Sequence, residues 1–80
     1  MSLKWIYLND VEFVNENSLS QTRLRQLENG FCSFEDLIYG NCSDPITLDS
    51  SAKPYRIIDG RHRIYLARKK GYKKIKARLV

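Results

Sequence analysis

The sequence predicts an α+β fold: a small mixed sheet with two or three helices packed on it. Three observations carry that prediction. Lys73 to Val80 alternates strictly, with Ile75, Ala77 and Leu79 on one side and Lys74, Lys76 and Arg78 on the other, as a half-buried strand requires. Arg61 to Lys70 repeats apolar residues at helical spacing and stops at Gly71. The chain has only 80 residues, 42% of them hydrophobic, which suits a single globular domain over residues 1–80 rather than a disordered or low-complexity chain.

The elements follow in order. Lys4-Trp5-Ile6-Tyr7-Leu8 is rich in aromatic and β-branched residues and reads as a strand closed by Asn9-Asp10, with Val11 to Val14 as a short continuation. Asn15-Glu16-Asn17-Ser18 is a polar turn. A helix is expected from about Ser20 to Glu28, its stripe formed by Leu24 and Leu27 and extended by Leu19 and Phe31, with Asn29-Gly30 as the stop. Phe34 to Tyr39 forms a second short helix, capped by Ser33 and ended by Gly40. Pro45 to Asp49 and Tyr55 to Ile58 are two strands that form a hairpin across Ser50-Ser51-Ala52-Lys53-Pro54. The order is β-α-(α)-β-β-α-β, with no repeat and no linker.

Charge is distributed unevenly. The chain carries a formal +5, yet all nine acids fall within residues 1–59, and residues 60–80 hold nine basic groups and no acid. Such a segment attracts anions: phosphate, a nucleotide, nucleic acid or an acidic protein partner. The alternative is a lysine-rich strand edge that resists aggregation. No apolar run reaches the roughly 20 residues a membrane span needs. Met1-Ser2-Leu3-Lys4-Trp5 has no basic leader ahead of an apolar stretch, so a cytoplasmic chain with no membrane partner is expected. Cys32 and Cys42, ten positions apart, fit no zinc or thioredoxin pattern and read as two ordinary thiols, with one disulfide as the alternative.

The sharpest motif is Ile57-Ile58-Asp59-Gly60-Arg61-His62-Arg63. A buried strand ends at an aspartate able to cap the next helix, and a glycine permits a tight turn and close approach of a phosphate. Three cationic side chains then crowd a helix N-terminus, where the dipole disfavours them, unless an anion sits among them. The candidate phosphate or nucleotide ligands are therefore Asp59, Gly60, Arg61, His62 and Arg63. A second row, Arg61, Tyr65, Arg68 and Tyr72, shares one helix face and interleaves charge with rings, while Ile64, Ala67 and Gly71 face the sheet. Tyr65, Arg68, Lys74, Lys76 and Arg78 are accordingly candidate nucleic-acid contacts. Asp49 and Asp59, ending successive strands, leave a metal-dependent nuclease as a further option.

Residues 45–80 carry a family resemblance. Pro45-Ile46-Thr47-Leu48, Tyr55 to Arg63, Ala67, Gly71 and Ile75 to Val80 resemble the ParB/sulfiredoxin superfamily, and Trp5 to Leu8 and Leu24, Leu27 and Gly30 extend the similarity to the first half. The resemblance implies a nucleotide-binding turn, with CTP or ATP and Mg as ligands. It also implies an anion contact from Arg23, which stands about where sulfiredoxins place a phosphate-binding lysine. Arg61 occupies the position of the sulfiredoxin cysteine, so sulfiredoxin activity is not expected. The ParB helix-turn-helix has no counterpart here. The resemblance thus points to a free-standing module in DNA-associated processes of a plasmid, phage or mobile element. Its alternatives are a sequence-independent nucleic-acid binder and a ParB-like nuclease or NTPase.

Overall fold

The computed structural model describes residues 3–30, 32–42 and 44–80. Four strands form one mixed sheet in the order β1-β4-β2-β3. β1 (Lys4–Tyr7) runs antiparallel to β4 (Lys74–Leu79), β2 (Ile46–Asp49) lies parallel to β4, and β3 (Arg56–Asp59) pairs antiparallel with β2 as the expected hairpin. The helices are α1 (Gln21–Glu28), α2 (Phe34–Ile38) and α3 (Arg61–Lys69). The α+β class expected from the sequence is the one observed.

Register sorts the sheet into two faces. Ile6 pairs with Ile75, Ile46 with Ala77 and Leu48 with Leu79, all turned towards the helices. Ile38, Ile46, Leu48, Ile64 and Ile75 are the largest side chains with essentially no exposed surface. Ala67 and Ala77 are equally buried, and their small size lets α3 approach the sheet closely. The alternate positions, Trp5 with Lys76, Tyr7 with Lys74 and Thr47 with Arg78, point the other way. β4 is an internal strand, so its lysines guard no sheet edge.

Local chemistry sets the helix ends. The Ser20 and Ser33 hydroxyls accept the backbone N–H groups of Arg23 (3.3 Å) and Asp36 (3.2 Å). α3 ends as the sequence predicts. Gly71 takes φ +88°. Its N–H donates to Arg68 O (3.1 Å), and the Tyr72 N–H donates to Ala67 O (2.9 Å). Phe31, expected on the α1 stripe, lies outside the described residues.

Three expectations are corrected. Leu8–Asp10 is a 3-10 turn, and Val11 forms only an isolated bridge to Tyr55 rather than a strand through Val14. The segment instead runs along β3, where the Glu12 carboxylate accepts the Ile57 N–H at 2.7 Å, satisfying an edge donor. β3 is buried on one face only, with Ile57 inside and Ile58 exposed. Cys32 and Cys42 are not free thiols. They are paired, with Cα atoms 6.2 Å apart, within the span a disulfide bridges, and they close the chain around α2. No helix among the described residues is long and apolar enough to cross a membrane.

Arg68 holds the irregular segment against α3. Its Nη1 donates to Glu12 O (2.9 Å) and its Nη2 to Leu8 O (2.8 Å) and Val11 O (2.6 Å). Hydrogen bonds to a charged donor contribute about 1.5–3 kcal/mol each, and truncation removes the guanidinium from Glu12 O and Val11 O, while Leu8 O keeps the Val11 N–H. Arg68→Ala should therefore lower unfolding free energy by about 3 kcal/mol in urea titration. Arg68→Lys should recover little, because an ammonium lacks the planar fork.

Candidate functional site

The turn between β3 and α3 is built around Gly60. Its φ of +110° lies in the left-handed region, and a Cβ there would stand 2.8 Å from Cγ1 of the fully buried Ile46. Only glycine fits, and having no side chain it leaves the first turn of α3 without a side-chain cap. Asp59 does not cap the helix as expected. Its carboxylate turns instead towards Arg63, at 3.7 Å.

Asp59, Gly60, Arg61, His62, Arg63 and Arg23, the residues singled out in the sequence, line a single cleft of about 460 Å³ with Ser18, Leu27 and Ile58. That volume is within the range of small-ligand sites. α1 delivers Arg23 from its first turn, and α3 delivers Arg61 and His62. The Ser20 N–H donates to His62 Nε2 at 3.1 Å, joining the start of α1 to the start of α3. An accepting Nε2 is unprotonated, so the imidazole proton sits on Nδ1. Burial, and then the charges of Arg23 and Arg61, hold His62 below its ordinary value of 6.5. Neither Arg23 nor Arg61 forms an ion pair among the described residues, whereas Arg63 pairs with Asp59 and Lys70 with Glu28. The cleft therefore combines uncompensated positive charge, an uncapped helix start and apolar walls from Leu27 and Ile58.

Arg63 lines the cleft but works inwards. It is 8% exposed, and its Nη1 donates to Leu37 O (3.2 Å) and Asp44 O (2.6 Å). It ties α3 to α2 and to the approach to β2, so its guanidinium is not presented as an open fork for phosphate. The helical row is reorganised likewise. Arg68 is committed to backbone carbonyls, Tyr65 has its phenol pKa raised by the neighbouring Glu16 carboxylate, and Tyr72 packs on Phe34 with ring centroids 5.6 Å apart. Tyr65 and Arg68 lie on the helical side of the sheet, whereas Lys74, Lys76 and Arg78 project from the other. These five residues do not form one surface.

Asp49 and Asp59 are also kept apart. Asp49 pairs across the hairpin with Arg56 and Asp59 with Thr47, and the Asp49 carboxylate accepts the Ser51 N–H at 2.9 Å. No group of three or more potential metal-ligating side chains occurs among the described residues.

Sequence reasoning missed the walls Leu27 and Ile58, and it missed Trp5 and Tyr7, which sit directly opposite Lys76 and Lys74. Alternation with Ile6 was the available signal for the last two, but their neighbours follow only from the pairing of β1 with β4. No protein-family model matches the chain, and no curated protein matches it.

Two consequences are measurable. Gly60→Ala combines an unfavourable φ with a clash against Ile46 and should cost about 2 kcal/mol or more in denaturant unfolding. His62 has a depressed folded-state pKa, so the unfolded chain takes up the proton first as pH falls. Its stabilising contribution is complete above about pH 6.5 and is lost progressively below that. Urea midpoints at pH 7.5 and 5.5 should differ more for the natural chain than for His62→Gln.

Proposed function

We propose that the cleft at Gly60–His62 binds the phosphoryl group of a nucleotide, and that the protein is a small phosphate-binding module of the ParB-like kind. The supporting observation is the convergence of Arg23 and Arg61, from two different helices, on one cleft where neither has a carboxylate partner among the described residues. An anion between them would relieve their mutual repulsion and would interact favourably with the positive end of α3. Leu27 and Ile58 supply apolar surface for the remainder of the ligand. CTP and ATP are the first ligands to consider, in keeping with the resemblance of residues 45–80. Magnesium would be held by the phosphates together with at most the Asp59 carboxylate, in the manner usual for this ion. The setting that follows from the resemblance is a DNA-associated process of a plasmid, phage or mobile element.

His62 is the only histidine in the chain, so its ring protons give a single NMR reporter. Titration with CTP, ATP, GTP and inorganic pyrophosphate, each with Mg, should raise the His62 pKa and the melting temperature for at least one ligand. Arg61→Ala should weaken that binding by roughly 10- to 100-fold, the equivalent of one charged hydrogen bond. An unmoved histidine signal and an unchanged melting temperature with all four would refute the reading.

A further inference from the structure

One face of the sheet carries the helices, and the other gathers aromatic rings and unpaired cations from neighbouring strands. Trp5 and Tyr7 are 51% and 61% exposed on β1, directly across from Lys76 and Lys74 on β4. The ammonium groups of Lys74 and Lys76 lie 4.7 and 4.9 Å from the centroid of the Trp5 ring. Tyr39 meets that ring edge-on at 5.2 Å and buttresses it. Neither lysine has a carboxylate within ion-pair distance among the described residues, so their charge is concentrated around one exposed indole. Arg78 continues the row on β4; its Nε is buried and without a hydrogen-bond partner, so the terminal Nη groups are what it can offer a phosphate. Asp44 and Asp59 share a depression with Arg78, Asp49 lies opposite Arg56, and Glu35 is the acid that acts on Tyr39 beside Trp5. The Trp5 end of the face has no acidic side chain on β1 or β4.

We propose that this face binds single-stranded nucleic acid, with phosphates on Lys74, Lys76 and Arg78 and unpaired bases stacked on Trp5 and Tyr7. The partner's chemistry follows from the pairing of charge with rings. A polyanion answers the lysines, and only a polyanion that also exposes flat π-surfaces uses the aromatic side chains. A duplex keeps its base faces stacked inside, and an acidic peptide offers charge without a ring to stack. Lys74, Lys76 and Arg78 are assigned to phosphates and Trp5 and Tyr7 to base faces, contacts that read no base edge, so binding is independent of sequence. The surface is separate from the Gly60–His62 cleft and does not depend on its reading.

Trp5 is the only tryptophan, so its fluorescence reports on this face alone. Twelve-nucleotide oligo-dT and oligo-A should both quench Trp5 at low salt. The logarithm of affinity should fall against that of salt with a slope of about −1.5 to −2, as two or three lysine or arginine contacts on a single strand require. Affinity for a fluorescein-labelled strand, read by anisotropy, should drop about tenfold or more in the Lys74→Ala/Lys76→Ala variant and in Trp5→Ala. Trp5→Phe should retain most of it. Circular dichroism of each variant establishes that the fold is kept. The proposal is overturned by absence of quenching and anisotropy change, by wild-type affinity in Trp5→Ala, or by equal binding of a duplex or of polyglutamate of matched charge.

Discussion

Two guanidinium groups on α3, that of Arg63 buried and that of Arg68 half-buried, hold the molecule together. Arg63 directs its donors onto main-chain carbonyls of the short helix α2 and of the irregular approach to β2, and Arg68 onto those of the irregular turn after β1. One fastens α2 and the approach to β2, and the other fastens the turn after β1. An 80-residue chain buries only about 60% of its unfolded surface and has little stability to spare. Charged donors that reach five backbone carbonyls at once solve two problems together, since they supply carbonyls of irregular backbone with donors and compensate the cations for desolvation.

That arrangement also decides which cations remain for a ligand. Successive residues on α3 point in different directions, so Arg63 enters the core while Arg61 stays outside beside Arg23. Gly60 makes the division possible. It brings the helix start against Ile46 and denies it a side-chain cap. The positive end of α3 and two outward arginines then share one cleft, with a neutral imidazole held between them by Ser20. On the opposite side of the sheet, β4 lies between β1 and β2, and its polar residues project from the middle of a face, where aromatic neighbours on β1 flank them.

The elements themselves were legible because their signals are local. Alternation marked β4, serine caps marked the starts of α1 and α2, and the glycine after Lys70 marked the end of α3. The cleft was legible too, since consecutive residues at a helix start must stay together, and Arg23 joined them through resemblance. The destinations of long side chains were less visible. Arg63 stands four residues before Ala67 and one before Ile64, on the buried stripe, and that spacing alone signals its inward direction. Arg68, four after Ile64, carries the same signal. The Cys32–Cys42 pairing had no such signal, because a separation of ten says nothing about whether an intervening helix brings the two thiols together. The company of Trp5 depended on strand order, which a single sequence leaves open.

The arginines divide their labour: Arg63 and Arg68 serve the fold, which leaves Arg61 and Arg23 for the ligand proposed above. Arginine side-chain NMR, recorded with and without inorganic phosphate, distinguishes the two pairs. Arg63 and Arg68 should show slow solvent exchange and phosphate-insensitive Nε signals, and Arg61 and Arg23 fast exchange and phosphate-dependent shifts. Rapid exchange at Arg63, together with a phosphate shift as large as that of Arg61, would contradict this division.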